Sequence, residues 1–183
     1  MRLIKMFLIG LIGLFSVITI LGLFIPSSVK VSRGIIVDAD STKVYEQLSD
    51  VKNWGKWMPW ITADGGALVQ ISPVTNQPGS YFKWKGLQVK GSGTITLTNS
   101  TKQLIELKYE LKEMNNSTGG FRITPSANNK KQTEVQWFME YPLKWYPWER
   151  FYGIFFNHIM EPAFDKGLES FRSYVEVQAP VAS

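Results

Sequence analysis

His158 is the only histidine in the sequence, and histidine is the side chain best suited to acid–base chemistry near neutral pH. A general base needs a positioned partner, and a catalytic nucleophile needs a base that a third group orients. The residues around His158 supply neither, and the sequence contains no HExxH pattern for zinc. We therefore expect His158 to be a packed or surface residue in the middle of a helix.

Other residue types that carry catalysis or bind metals are absent or poorly placed. The chain of 183 residues has no cysteine, which excludes disulfides, thiol catalysis and cysteine zinc sites. Asp38, Asp40 and Asp64 fall where turns and helix caps are expected. The Gly-Ser-Gly stretch at residues 91–93 lacks the third glycine of a dinucleotide-binding loop. The sequence therefore predicts no cofactor and no metal ion.

Aromatic residues make up 14% of the chain, and large rings provide either buried area or the walls of a cavity. Trp54, Trp57 and Trp60 lie close together in "KNWGKWMPW". Their spacing of three suits a tight 3₁₀-like turn, so we predict that Trp54 and Trp57 lock short helices onto the edge of a sheet. Trp60 follows a proline and is expected at the mouth of a cavity. The aromatic residues at 145–148 are expected in an exposed loop or rim.

The elements that must position these residues are strands and helices in a definite order. Residues 29 to 38 are predicted to form a strand. The helix that follows is expected to begin at Asp40 or Ser41, which are good N-caps, and to end before Pro59. Segments from residue 80 to residue 141 alternate apolar and polar side chains, most cleanly in "LIELKYEL". This alternation predicts an antiparallel sheet that is covered on one side only.

A long C-terminal helix is predicted to cover the sheet. Apolar side chains recur every three or four residues along one face of this helix: Phe156, Met160, Phe164, Leu168, Phe171 and Val175. The pattern continues across Pro162, which predicts a kink or a brief restart. The order of elements predicts an α+β architecture in which the sheet wraps around the last helix.

Large side chains are expected to face the space between sheet and helix, where they would wall a pocket with few polar groups, as in most ligand sites. The predicted ligand-binding residues are Trp60, Phe82, Trp84, Tyr109, Trp137, Met139, Phe155 and Phe164. The alternative is that the same side chains fill a solid core. Tyr109 is notable because a buried phenol needs a hydrogen-bond partner.

The first 28 residues are predicted to be a membrane anchor. The uncharged run from Phe7 to Ile25 would span about 28 Å as a helix, close to the thickness of a hydrocarbon core. A cleaved signal peptide is the alternative, but this run is longer than a normal signal core, and residues 26–28 form a poor cleavage site. Basic residues flank both ends almost equally. The short basic leader favours export, so we predict a single-pass protein of the cell (inner) membrane with its domain outside the cytoplasm.

The net charge of +5 does not indicate a nucleic-acid partner. Basic residues are scattered along the chain and alternate with acidic ones, whereas a nucleic-acid site concentrates them in a stripe. We predict one domain at residues 29–178 and a flexible tail at residues 179–183.

The sequence resembles the START-like, or SRPBCC, superfamily with its helix-grip fold. Within it, the chain is most similar to bacterial polyketide cyclase/dehydrase-type members that carry an N-terminal membrane segment. The resemblance covers about residues 30 to 177 and lies in "ADSTKVYEQLSDVKNWGKWMPW", "YFKWKG", "GSGTI" and "FDKGLESFRSYVE". It implies two short helices after the first strand, a curved antiparallel sheet around a long C-terminal helix, and an apolar cavity that binds lipids, polyketides or similar molecules. The family has no shared catalytic motif, and the same fold also binds client proteins in chaperone co-factors.

Three functional hypotheses follow. The leading one is a membrane-anchored, non-enzymatic domain that binds a hydrophobic small molecule or lipid between the sheet and the last helix. The second is an enzyme of the cyclase or dehydratase type, with Tyr109 or His158 as its acid or base. The third is a protein-interaction module that uses the aromatic residues at 145–148.

Overall fold

One antiparallel sheet dominates the computed structural model of this chain, which describes residues 2–58, 67–86, 91–112, 114–127, 129 and 131–177. Within these residues the sheet has seven strands in the order β1-β7-β6-β5-β4-β3-β2. The strands are β1 (Ser28–Val37), β2 (Leu68–Ile71), β3 (Tyr81–Lys85), β4 (Ser92–Ser100), β5 (Leu104–Leu111), β6 (Ser117–Pro125) and β7 (Thr133–Pro142). Each strand pairs antiparallel with its neighbours, and β7, the last strand, pairs with β1, the first.

The helices are α1 (Arg2–Leu23), α2 (Ser41–Ser49), a 3₁₀ helix (Val51–Lys56) and α3 (Pro147–Val177). The side chain of Asp40 caps α2 by accepting hydrogen bonds from the N–H groups of Thr42 and Lys43. Asp50 caps the 3₁₀ helix in the same way, through the N–H of Lys52. The predicted helix start and the tight turn after it are therefore confirmed.

The long helix α3 lies across the sheet with one apolar face turned inward. Phe156, Phe164, Leu168, Phe171 and Val175 are all buried, as their spacing predicts. The helix continues through Pro162 without interruption, so of the two predicted alternatives, a kink or a brief restart, the restart does not occur. Proline removes one backbone hydrogen bond from a helix, and here both Pro162 and His158, whose carbonyl loses that bond, are exposed.

A glycine lets α3 approach the sheet closely. A Cβ atom at Gly167 would lie 2.5 Å from Cζ3 of Trp137, so only glycine allows the helix backbone to rest on this ring. Strand β1, which pairs with β7, runs beside α3 in the same direction. Arg33 forms an ion pair with Asp165 at 2.8 Å, and the N–H of Asp38 donates to Glu176 further along at 3.0 Å. The predicted α+β helix-grip fold is confirmed.

Phe138, the one apolar side chain that breaks the alternation in β7, lies on the outer face of the sheet. Phe138 points away from the core, and the guanidinium of Arg122 on β6 lies 5.4 Å from the centre of its ring. Such a cation–π contact stabilises an aromatic ring on the outer face of a sheet. Trp60 and the predicted tail at residues 179–183 lie outside the described residues.

Candidate functional site

A cavity of about 220 Å³ opens between the inner face of the sheet and α3. Most of the residues around it are apolar, and they come from β3, β4, β5, β7 and α3. The lining residues are Trp84, Gly91, Ser92, Ile95, Tyr109, Leu111, Lys112, Met114, Met139, Met160, Ala163 and Phe164. The sheet and the helix therefore enclose an apolar space, as the resemblance implied.

Four of the predicted ligand-binding residues line this cavity: Trp84, Tyr109, Met139 and Phe164. Period-two alternation places the first three on the inner face of the sheet, and Phe164 lies on the inward face of α3. Phe82 is buried beside the cavity, where its ring centre lies 6.4 Å from that of Trp84. Phe82 supports the cavity wall without lining it.

Trp137 belongs to the filled part of the core rather than to the cavity. Its ring stacks on Phe164 with 4.4 Å between ring centres, and it meets Phe121 at 5.1 Å. Trp57 packs edge-on against both Trp137, at 6.1 Å, and Phe171, at 5.1 Å. These rings occupy one part of the space between sheet and helix. Both sequence-based alternatives are thus realised, a solid core in one part and a cavity in the other.

The prediction that Phe155 faces the space between the sheet and α3 is wrong. Its side chain is 62% exposed, whereas the adjacent Phe156 is buried and stacks on Tyr141 with 4.5 Å between ring centres. Successive helix residues differ by about 100° in direction, so both rings cannot face the sheet. His158 is also exposed, as expected for a surface histidine, and it cannot act inside the cavity.

The tryptophans of the short helices are buried, as predicted. The indole N–H of Trp54 donates to the carbonyl oxygen of Leu48 at 2.9 Å, which ties the 3₁₀ helix to the end of α2. Trp54 also lies 6.3 Å from Phe82, measured between ring centres. Trp57 lies deeper than the sheet edge, since it contacts aromatic rings of both sheet and helix.

Tyr109 supplies the cavity with a buried hydroxyl group. Its oxygen accepts a hydrogen bond of 3.0 Å from the indole N–H of Trp137. Burial raises the pKa of Tyr109 above its ordinary value of 10.0 because an ionised phenolate would lose its hydration. The hydroxyl therefore keeps its proton at neutral pH. Within the part of the chain that the structure describes, no protein acceptor bonds to that proton.

Ser117 supplies a second buried hydroxyl, which the sequence patterns do not predict. It pairs with Tyr109 across β5 and β6, so the two side chains share the inner face of the sheet. Its Oγ atom is buried and has no hydrogen-bond partner among the described residues. Only the register between the two strands reveals this neighbour, and no local sequence pattern indicates that register.

This arrangement can bind an apolar group of a ligand and donate a hydrogen bond to an acceptor atom of the same ligand. Within the described ranges, no cluster of three histidine, aspartate or glutamate residues is positioned to hold a metal ion. Among the described lining residues, Tyr109 and Lys112 are the titratable ones. Lys112 is exposed, at the rim of the cavity.

Two of the three aromatic residues before and at the start of α3 are exposed, as predicted, whereas Tyr146 is half-buried. Trp145 is 65% exposed and Trp148 63% exposed, and Tyr146 stacks on Trp148 with 4.6 Å between ring centres. The end of α1 lies against the same region, since a Cβ at Gly22 would lie 3.5 Å from Cα of Pro147. In the described part of the chain, α1 is the one helix that is long and apolar enough to cross a membrane.

Solved structures with the same fold have low sequence identity to this chain. The Zhui aromatase/cyclase from a Streptomyces species has a TM-score of 0.63 at 14% identity, covering 85% of this chain and 98% of that chain. The di-domain ARO/CYC StfQ from the steffimycin biosynthetic pathway has a TM-score of 0.63 at 12% identity, covering 83% of this chain and 52% of that chain. A Staphylococcus aureus protein of unknown function has a TM-score of 0.64 at 8% identity, covering 82% and 95%. At these identities the similarity shows the fold alone, and no curated protein matches the sequence.

A match to a family model shows which family the chain belongs to, which the individual structures do not. The model described as polyketide cyclase/dehydrase and lipid transport matches residues 28–176. This range begins with β1 and ends one residue before the end of α3, so it contains the sheet, the long helix and the cavity but not α1. The chain therefore belongs to the polyketide cyclase/dehydrase and lipid transport family.

Proposed function

We propose that this protein is a membrane-anchored domain that binds a hydrophobic small molecule, or one chain of a lipid, in the cavity under α3. The observation that carries the proposal is the apolar cavity itself, which has Tyr109 as its buried hydrogen-bond donor. A ligand with an apolar body and one acceptor atom would match both features. The proposed binding domain spans residues 29–178. The predicted residues that line the cavity, Trp84, Tyr109, Met139 and Phe164, are proposed to contact the ligand.

The size of the cavity limits what can bind. An apolar cavity of about 150 Å³ holds benzene, and whole drug-sized ligands use about 300–1,000 Å³. A cavity of about 220 Å³ therefore has room for one ring with a substituent, or for a short stretch of an acyl chain. The rest of a larger ligand would emerge at the rim, where Lys112 is exposed.

The proposed anchor is α1. Its side chains are almost all exposed apart from Gly22, which is costly in water and favourable in a bilayer. Ser16 and Thr19 satisfy their hydroxyl groups by donating to the carbonyls of Ile12 and Phe15, so neither adds an unpaired polar group to the span. We place the domain on the extracytoplasmic side because of the short basic leader at Arg2 and Lys5.

Native mass spectrometry of the full chain after mild detergent extraction would test the binding proposal. We expect a bound hydrophobic molecule, at up to one per chain, that survives purification. A protein that carries no ligand and takes up none when lipids are added back would refute the proposal. Carbonate extraction of membranes tests the anchor separately, since a chain released by this treatment is not membrane-spanning.

A cyclase-type reaction is the second candidate, and the protonated Tyr109 hydroxyl favours it because it could donate to a carbonyl oxygen of a bound polyketide. A raised pKa keeps this group an acid and prevents it from acting as a base near neutral pH. Incubation of the protein with an added linear polyketide distinguishes the candidates. Loss of one water molecule from this polyketide, absent in Tyr109→Phe, would indicate cyclisation with dehydration, whereas recovery of the linear molecule with its mass and absorption spectrum unchanged would support binding alone.

A further inference from the structure

The first half of α3 carries an exposed apolar stripe, which we define as Trp148, Phe151, Tyr152, Phe155 and Ile159. Phe155 is 62% exposed and Ile159 50% exposed, values unusual for large apolar side chains on one helix. Helical geometry places the five residues within about 100° of one another around the axis. Contiguous exposed apolar surface of this kind marks an interaction site.

The stripe is uncharged, with one lysine four residues before it and another seven residues after it. In residues 148–159, all of which the structure describes, Glu149 is the one acidic residue, and it lies off the stripe where it accepts a hydrogen bond from Asn115. Lys144 before the helix and Lys166 after the stripe are both exposed. Amphipathic helices that lie in a bilayer interface combine apolar and aromatic side chains with flanking lysines in this way.

The chain holds the start of α3 next to the end of α1. Arg150 donates a hydrogen bond of 2.8 Å to the carbonyl oxygen of Ile25, two residues after the end of α1. The N–H of Leu143 donates to the carbonyl oxygen of Ser27 at 2.8 Å. Since α1 ends at Leu23, the surface of any bilayer that holds α1 lies at the level where the stripe begins.

We propose that the apolar stripe lies in the interface of the bilayer that holds α1, so that the first half of α3 lies along the membrane surface. The inference rests on the proposed anchoring through α1. Tryptophan and tyrosine favour this interface because their rings are apolar and their polar atoms reach water. Lys144 and Lys166 are placed to contact lipid phosphates.

The orientation also determines where the cavity opens. Met160 and Ala163 line the cavity; Met160 directly follows Ile159, the last residue of the stripe, and Ala163 lies about one helical turn beyond Ile159. With the stripe in the interface, the α3 side of the cavity faces lipid rather than bulk water. The ligand class that this favours is an acyl chain that enters from the bilayer.

Single-cysteine variants of the full chain test the placement, and the absence of native cysteine leaves no background labelling. Ile159→Cys reports on the stripe. Ile36→Cys is the matched control because Ile36 is 59% exposed and lies near the end of β1 farthest from α1. Leu14→Cys reports on the anchor. Each variant carries a nitroxide label in vesicles of phosphatidylethanolamine and phosphatidylglycerol, and its relaxation is measured with oxygen and with a water-soluble nickel chelate.

We expect the oxygen-to-nickel accessibility ratio at Ile159→Cys to exceed that at Ile36→Cys several-fold and to approach that at Leu14→Cys. High nickel access at Ile159→Cys with a lipid-like ratio at Leu14→Cys would overturn the stripe placement and leave the anchor intact. Low access to both reagents at Ile159→Cys would show that a protein, such as a second copy, covers the stripe, and would also overturn it. A water-like ratio at Leu14→Cys would refute the anchor itself, and the inference with it.

Discussion

Filling the cavity with a larger side chain is the most direct perturbation of ligand binding. Ala163 lies on the α3 side of a cavity of about 220 Å³. The variant Ala163→Phe adds a benzene-sized ring, and benzene occupies an apolar cavity of about 150 Å³. The ring would leave about 70 Å³ of the original volume, which is too little for a ligand ring.

The expected loss of affinity follows from this volume. The space taken corresponds to about five methylene groups if each needs about 30 Å³, as a water molecule does. Each buried methylene contributes about 0.8 kcal/mol, so Ala163→Phe should weaken binding by about 4 kcal/mol. Since about 1.4 kcal/mol corresponds to a tenfold change, the dissociation constant should rise by roughly a thousandfold.

The assay is native mass spectrometry of the full chain, with the ligand-bound fraction as its readout. The matched control is Ser173→Phe, which places the same ring on the exposed side of α3, ten residues after Ala163 and outside the cavity lining. Met139→Trp fills the same space from β7 and so covers the case in which the new phenylalanine turns outward. Wild-type ligand occupancy in both Ala163→Phe and Met139→Trp, with thermal unfolding unchanged, would refute the cavity as the binding site.

Three further predictions concern the packing and the charges around the cavity. Tyr109→Phe removes the acceptor of the Trp137 indole N–H and should cost about 1–3 kcal/mol of unfolding free energy, measured by urea denaturation; an unchanged midpoint would contradict this. Because burial raises the pKa of Tyr109, its contribution to stability should be complete below pH 10 and decline as the pH rises above that value. Tyr109→Phe should therefore lack this alkaline loss. Gly167→Ala brings a Cβ within 2.5 Å of Trp137. The cost of overpacking, about 1–3 kcal/mol, should outweigh the gain in helix propensity, at most about 1 kcal/mol, so the melting temperature should fall. A raised melting temperature would show that the Trp137 ring moves to accommodate the new methyl group. Arg33 lowers the pKa of Asp165, so this pair should stabilise the fold above the ordinary aspartate pKa of 3.8 and lose its effect as the pH falls below it. Asp165→Asn should flatten that acid limb only slightly, since the pair is exposed.

The architecture could be predicted from the sequence because each level of pattern indicated the same arrangement. Alternation in β5 and β7 fixed the inner face of the sheet, and the spacing from Phe156 to Val175 fixed the inner face of α3. The start of α2 followed from two neighbouring residues that are both good N-caps, Asp40 and Ser41, of which Asp40 is the cap. These features are local, so they do not depend on which segments meet in three dimensions.

The details of the cavity could not be predicted in this way. Phe155 and Phe156 are adjacent and chemically identical, so only the rotation of α3 about its axis decides which one is buried. Ser117 lies beside Tyr109 because of the register between β5 and β6, which depends on pairing across the sheet. The volume left beside Trp137 depends on how closely Gly167 lets the helix approach, and this is a property of packing rather than of pattern.

The short connection between α1 and β1 limits how the protein can work. The residues at 24–27 would reach about 14 Å even when fully stretched, and hydrogen bonds from Arg150 and Leu143 already hold them in place. If α1 resides in a bilayer, the domain cannot travel across a compartment with its cargo. The domain would stay at the membrane and would bind and release its ligand there. Any protein that receives the ligand would have to come to this membrane.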